Sequence, residues 1–331
     1  MARFYYGGQA VMEGVMMRGR KTAAAAIRRP EGNIYLYEEV LNPRLYQNKF
    51  FRLPFLRGML LLWEMLVLGT RLMTLSANIA AGAWYPDAPA PINPEEVSDE
   101  LSSQDAPSTD EDSEQESFQI GGAAFILTLL VSLSIAVAVF FVGPLLLTSL
   151  FRHQIGEGWL NLTIEGGIRL GLLIGYLSLI GRIPDVQRLF GYHGAEHKAI
   201  NAMEQGDPLD IPHVRRASRV HTRCGTGFLL IVMVVSIFVF ALVGSPSLLL
   251  KVLSRIILVP VVAGIAYELM RLGAANYRYR PVRWLLAPGL ALQGLTTREP
   301  DDSMIECAIV ALTCVMQRDR QENTNNFSPP V

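Results

Sequence analysis

The chain has 331 residues, half of them hydrophobic and only 18% charged, with 29 Lys and Arg against 30 Asp and Glu and a net charge of −1. This composition belongs to the membrane class. Three cysteines, Cys224, Cys307 and Cys314, without CxxC spacing give no disulfide framework, and the first residues hold no apolar core of signal-peptide length.

In chain order, Thr22–Arg28 and Asn33–Val40 are extended-type runs around the turn signal Arg29-Pro30-Glu31-Gly32, so residues 1–50 are expected to form a β-rich cytoplasmic unit with a hairpin. The stretch Gly7–Arg20 before it is glycine-rich but holds no GxGxxG or GK[ST] phosphate motif. It reads as a tight-turned strand packed on the rest, or as a loop whose Glu13 or Arg18 reaches a catalytic site. Residues 55–83 are apolar but carry Arg57, Glu64 and Arg71 at seven-residue intervals on one helical face. A spanning helix would bury those charges at high cost, so an amphipathic interfacial or re-entrant helix is expected. Residues 86–117, rich in Pro, Ser, Asp and Glu, read as a disordered acidic linker.

The membrane domain is expected over 118–272, with spans near 120–143, 164–181, within 225–250, and 252–272; Gly143-Pro144 ends or kinks the first. The loop 182–224 holds Arg182, Arg188, Lys198, Arg215, Arg216, Arg219 and Arg223, whereas the loops on either side hold one basic residue each. That asymmetry places this loop in the cytoplasm, and four spans put both termini there too, at the inner membrane of a cell. A cytoplasmic segment 273–318 follows, with an apolar helix over 302–318 that packs Cys307 and Cys314 on one face; 319–331 reads as a disordered tail. The predicted fold class is mainly α: a polytopic membrane protein of about four transmembrane helices, an interfacial amphipathic helix and a small N-terminal β-hairpin unit.

Four of the five histidines fall between 193 and 221. With Gly206 and Pro208 as its stop signal, a helix through this stretch projects His193 and His197 from one face and Glu196 from the adjoining one. The pattern is H-x-x-E-H, the order used by inverzincin-type metallohydrolases, where two imidazoles hold zinc and the glutamate handles a water proton. His213, His221 and Cys224 follow, and imidazole and thiolate are ligand types that zinc favours. Glu268, an acid near the cytoplasmic end of an apolar helix, is a further ligand candidate or a salt-bridge partner of Arg271 or another basic residue. The competing reading is a polar interaction site without metal.

The stretches Gly7–Gly19, Tyr192–Lys198, His221–Thr226, Tyr267-Glu268 and Thr296–Asp302 together resemble the YqhQ-like family of bacterial integral membrane proteins. The resemblance implies a multi-span inner-membrane protein catalogued as a predicted metal-dependent enzyme, with motif residues Glu13, Arg18, His193, Glu196, His197, Glu204, His221, Cys224 and Glu268. On this reading a divalent metal, zinc in the first instance, sits on His193 and His197 with help from His221, Cys224 or Glu268, and Glu196 is the general base of a hydrolase. The rival is a non-enzymatic membrane scaffold that docks a cytoplasmic protein partner, with a structural metal or none. Besides the lipid bilayer, the basic residues suit an anionic substrate or lipid headgroups. No recognition-helix or aromatic-interleaved pattern points to nucleic acid, and so few intramembrane polar residues argue against a transporter.

Overall fold

The structure, a computed structural model, describes residues 6–41, 55–83, 122–151, 159–242 and 247–325. The acidic linker expected at 86–117 lies outside the described residues. Strands β1 (Gly7–Val11), β2 (Gly14–Arg18), β3 (Thr22–Arg28) and β4 (Ile34–Val40) form a four-stranded antiparallel sheet in chain order. The predicted hairpin is β3–β4, in which Arg28 pairs with Ile34. The glycine-rich stretch ahead of it is a second hairpin, with Val11 opposite Gly14 across a turn at Met12 and Glu13.

The helices are α1 (Leu56–Ala80), α2 (Gly122–Val137), α3 (Gly143–Leu150), α4 (Trp159–Ile180), α5 (Pro184–Gln205), α6 (Ile211–Arg216), α7 (Gly225–Ala241), α8 (Leu248–Ala275), α9 (Arg280–Thr296) and α10 (Asp302–Asn325). Helix α10 runs past residue 318, and Asp319, which the sequence places in a tail, is buried and accepts the Arg20 backbone N–H at 3.2 Å.

Side chains alternate across the sheet with the period of two that extended backbone imposes. Ala10, Val15, Met17, Ala24, Ala26, Ile34 and Leu36 pack on α5 and α10. Val11, Met16, Ala23, Ala25, Ile27 and Tyr35 pack instead on Leu68, Leu72 and Ile79 of α1. The alanine run Ala23–Ala26 keeps both faces flat, which lets helices approach on each side. The result is three layers: α1, the sheet, and the α5–α10 pair.

Among the described residues four helices are long and apolar enough to cross a membrane: Leu56–Ala80, Ile126–Leu150, Leu160–Ile180 and Leu248–Ala275; Gly225–Ala241 is apolar but shorter. Leu56–Ala80 is the segment that the sequence lays at the interface. Its three charges are each matched by a partner from another element: Arg57 by Glu268 of α8 at 2.6 Å, Glu64 by Arg18 of β2 at 2.9 Å, and Arg71 by Glu39 of β4. One charged stripe thus ties α1 to α8 at its start and to the sheet along its length. Gly58 lies so close to Tyr267 that an added Cβ would come within 2.6 Å of that ring.

Gly143-Pro144 does not end the first apolar helix. Between α2 and α3 a π-helical turn, Ala138–Val142, carries the chain through the proline. Proline has no N–H to offer the carbonyl four residues back, which here is Phe140. Arg169 takes that carbonyl instead, its Nε donating at 2.9 Å. The same guanidinium donates to Ser236 at 2.7 Å and to Glu165 at 2.6 Å, and Arg255 donates to both oxygens of Glu165 at 3.1 Å. Arg255 also lies over the Phe240 ring at 4.0 Å. All three charged residues are buried, so one carboxylate serves two cations between α4, α7 and α8. The i, i+4 spacing of Glu165 and Arg169 is the one part of this network that the sequence displays.

Removing one partner of a buried ion network leaves charge unmatched and costs about 3–5 kcal/mol. Glu165→Gln is expected to lose stability on that scale in chemical unfolding of the detergent-solubilised protein. A loss no larger than that of an exposed control substitution on α4 would show that the network does not hold the helices.

Candidate metal centre

Helix α5 is the scaffold of the site. It starts at Pro184, whose fixed φ suits a first helical turn, and stops at Gly206, which takes the left-handed conformation at φ 82°. The predicted stop signal is the observed one. Eleven of its residues are buried, including Glu196, His197 and Lys198, because the sheet, α10 and two loops surround it.

Two loops are stitched to α5 by hydrogen bonds. The first is the stretch before α7: Lys198 donates to the Arg215 carbonyl at 2.7 Å, and Asn201 to the Ser218 and Val220 carbonyls at 2.6 and 3.0 Å. His197 Nδ1 lies 2.6 Å from the Arg219 carbonyl. The second is the segment between α9 and α10, where His193 Nδ1 lies 2.8 Å from the Thr296 carbonyl. A carbonyl can only accept, so each Nδ1 carries the hydrogen and each Nε2 is left with its lone pair. Metal-binding histidines use this outer bond to fix tautomer and ring orientation.

The freed nitrogens meet Cys224. His193 Nε2 is 3.4 Å from Cys224 Sγ, and the ligand atoms of His193, His197 and Cys224 all lie within 4.8 Å of one another. Glu196 joins them, its carboxylate 3.6 Å from His197 Nε2 and 4.0 Å from His193 Nε2. The two imidazoles and the thiol could hold a metal ion, with the buried Glu196 carboxylate beside them. Cys224 is positioned as the N-cap of α7, its sulfur accepting the Thr226 N–H at 3.4 Å.

The remaining predicted residues sit elsewhere. His221 stacks 5.6 Å from the His197 ring, but its Nε2 faces the Arg223 guanidinium at 3.2 Å, outside the three-residue group. Its backbone is clamped by the Gln293 amide, which accepts at 3.0 Å and donates at 2.7 Å. Glu204 pairs with Arg223; burial raises its carboxyl, yet His221 and Arg223 together hold it below the usual range. Glu268 is held by Arg57 and the Phe55 N–H, and Arg271 lies 3.8 Å away; it takes the salt-bridge alternative and is not brought to the histidines. His213 lies in the first turn of α6, whose N-cap Asp210 accepts its backbone N–H at 2.8 Å and sits 2.6 Å from its Nδ1. Arg18 pairs with Glu64, so its tie is to α1. Glu13 pairs with Arg188 at 2.5 Å and accepts from the Tyr192 hydroxyl at 3.2 Å, which ties the β1–β2 turn to α5 one residue before His193.

Three elements of the site had no reading in the sequence. Gly194 has no room for a side chain, since a Cβ would overlap the Arg298 carbonyl, and at Gly191 it would come within 2.6 Å of the Met304 sulfur. Gly8 of β1 sits against Glu196, 2.8 Å from its Cγ to an added Cβ. The glycines of GYHGAEH and of the N-terminal stretch were visible signals; backbone carbonyl partners carry no residue signature.

The chain belongs to the DUF1385 family, described as a protein of unknown function, which matches residues 53–318. It is 35% identical over 326 residues to the uncharacterized protein YqhQ of Bacillus subtilis (strain 168), a match covering 97% of this chain and 95% of that protein. No solved structure matches it. The likeness read from the motifs is thereby established, and the H-x-x-E-H helix, Cys224 and the 296–302 segment all lie within the family match.

The Arg188 hydrogen bond lowers the Glu13 carboxyl below its ordinary value of 4.5, against the opposing effect of burial. A lowered folded value stabilises the protein above the unfolded value, and the gain disappears as pH falls through the folded one. Glu13→Gln is therefore expected to be less stable than wild type at neutral pH, with the difference shrinking to nothing as thermal unfolding is followed to acid pH below 4.5. A difference independent of pH would show that the ion pair is not its source.

Proposed function

We propose that this chain is a metal-dependent membrane enzyme, a hydrolase whose zinc-like ion is held by His193, His197 and Cys224 at the cytoplasmic face of the membrane. The observation that carries the reading is the buried Glu196 carboxylate, 3.6 and 4.0 Å from the two lone-pair nitrogens that Arg219 and Thr296 orient. When bound, a zinc ion supplies Lewis acidity that brings the ionisation of water from pKa ~15.7 to about 7. Glu196 then receives the proton of the attacking water, and burial among Gly8 and the α5 neighbours keeps bulk solvent off its carboxylate. Glu13 and Arg18 act in this reading as positioning residues, fastening the sheet to α5 and α1 without touching reacting atoms.

The shared core supports the placement. The sheet, α5 and α10 bury one continuous set of side chains, which supports putting the N-terminal unit, the histidine loop and the C-terminal helix together on one side of the bilayer. The basic residues of 182–224 favour the cytoplasm. A second reading, a scaffold with a structural metal, is favoured by the burial of His197 at 1% and Cys224 at 5% exposure, since structural zinc sites are closed.

Purified wild type is expected to bind one zinc, and His193→Ala with His197→Ala to lose at least about tenfold in affinity, the scale reached even by outer-partner losses. Unchanged stoichiometry and affinity would defeat the metal. Glu196→Gln keeps size and hydrogen bonding and should retain zinc while failing to complement a deletion strain, since a positioned base contributes roughly 100-fold to 10,000-fold in rate. Complementation by Glu196→Gln but not by the histidine variants would leave the structural metal. For orientation, Arg215→Cys should resist an impermeant thiol reagent in intact cells and react after permeabilisation; labelling of intact cells would reverse the topology.

A further inference from the structure

A cavity of about 390 Å³ opens beside the metal group, between the end of α4, the Arg219 loop and the end of α9. Its polar wall carries Arg182, Arg219 and Arg298, its apolar wall Leu177 and Leu295, and Glu299 completes the rim. Glu299 does not cancel the three guanidiniums, because its carboxylate is already paired with Lys198 at 2.6 Å. Arg298 gives one N–H to the Gly181 carbonyl at 3.0 Å, Arg219 approaches Glu299 only to 3.9 Å, and the Arg182 side chain has no hydrogen-bond or ion-pair partner among the described residues. Three guanidiniums converging on one cavity present planar donor forks matched to phosphate oxygens.

The setting selects the kind of phosphate. Arg182 lies two residues beyond the end of the candidate span Leu160–Ile180. Leu295 of the lining is exposed at 37%, and Leu179 and Ile183, sequence neighbours of the lining residues Ser178 and Arg182, at 64% and 48%. On α9, whose end lines the cavity, Trp284 and Leu285 are exposed at 82% and 80%, in the manner of side chains that seat a helix at headgroup level. A ligand with a phosphate in the cavity and apolar chains along α4 and α9 satisfies both walls.

The cavity also abuts the metal group through a backbone only one residue thick. Arg219 lines the cavity, and its carbonyl lies at His197 Nδ1. Thr297 lines the cavity, and the carbonyl of its neighbour Thr296 holds His193 Nδ1. We propose that this cavity binds the phosphate of an anionic membrane lipid and delivers that class of molecule to the adjacent histidine centre. Delivery rests on the hydrolase reading; binding itself does not.

The test uses the full chain in nanodiscs of phosphatidylcholine with or without phosphatidylglycerol, read by native mass spectrometry for retained lipid and for zinc. Phosphatidylglycerol is expected to be retained over phosphatidylcholine, and Arg182→Gln to lower that retention about fivefold, the worth of one basic residue at an anionic surface. Arg182→Gln with Arg298→Gln should lower it further, with zinc content unchanged. Arg182 has no side-chain partner to lose among the described residues, so its variant should fold. In a second arm, inorganic phosphate is titrated: displacement of phosphatidylglycerol at high phosphate supports the shared chemistry with the lipid as ligand. Phosphate binding without any preference for phosphatidylglycerol overturns the lipid. Equal retention of both lipids, or full retention by the Arg182→Gln variant, also overturns it. His193→Ala separates the two readings: loss of zinc with lipid retained upholds both the metal site and a cavity that binds independently of it, whereas unchanged zinc with lipid retained defeats the metal alone.

Discussion

The histidine group depends on one close approach, the crossing of the 296–300 segment over α5 at Gly194. Because that residue has no Cβ, the Arg298 carbonyl comes into contact with the helix backbone, and the Thr296 carbonyl two residues earlier lands on His193 Nδ1. Any side chain at 194 would lift the segment and release the ring. The same segment then fixes other parts: Thr296 bonds Thr226 at the start of α7, Arg298 N–H donates to the Phe190 carbonyl at 2.9 Å, and Glu299 pairs with Lys198. A short irregular stretch thereby joins α5, α7 and α9, and Cys224 at the head of α7 is carried to the histidines by that junction.

The second constraint is a sheet buried on both faces. A four-stranded sheet with one face open to water would need polar residues on alternate positions, yet β3 reads Thr-Ala-Ala-Ala-Ala-Ile-Arg with both faces apolar. Such a strand requires a cover on each side, and α1 is one of those covers. That requirement explains why α1 is apolar without being uniformly so: the half that meets the sheet buries Leu68, Leu72 and Ile79, and its charged stripe reaches Arg18 and Glu39. Hydropathy alone scores it as a candidate span. Its packing accounts for the buried Leu68, Leu72 and Ile79, whereas Trp63 and Leu66 nearer its start are left exposed.

What was legible in the sequence follows from what each signal encodes. Extended-type runs around the Arg29-Pro30-Glu31-Gly32 turn signal marked β3 and β4, long uncharged runs marked the helices at 126–150 and 225–241, and the H-x-x-E-H spacing with Gly206 marked the histidine helix. Ligand choice was legible only as a set of residue types. Of His221, Cys224 and Glu268, geometry brings Cys224 to the two histidines, because selection among the three rests on tertiary packing by Gln293, Arg57 and the head of α7. The carbonyls of Arg219 and Thr296 could not be read at all, since any residue has a carbonyl and only the fold decides where it points.

The buried network of Glu165, Arg169 and Arg255 shows the same division at the far end of the bundle. Pro144 determines by its chemistry that the Phe140 carbonyl loses its helical donor, which the sequence displays openly. That Arg169 is the replacement donor depends on how α4 packs beside the π-helical turn. With two guanidiniums on one carboxylate the cluster keeps a surplus positive charge in an apolar setting, and an ion network of this kind is weak grounds for stability over a hydrophobic repacking. What it does fix is register: α4, α7, α8 and the π-helical turn all contribute an atom to one hydrogen-bonded set, so a slip of any of them by one turn leaves a buried charge unmatched. The opposite ends of α4 and α7, where the chain enters and leaves the histidine loop, inherit that register, and with it the placement of Arg182 and Cys224.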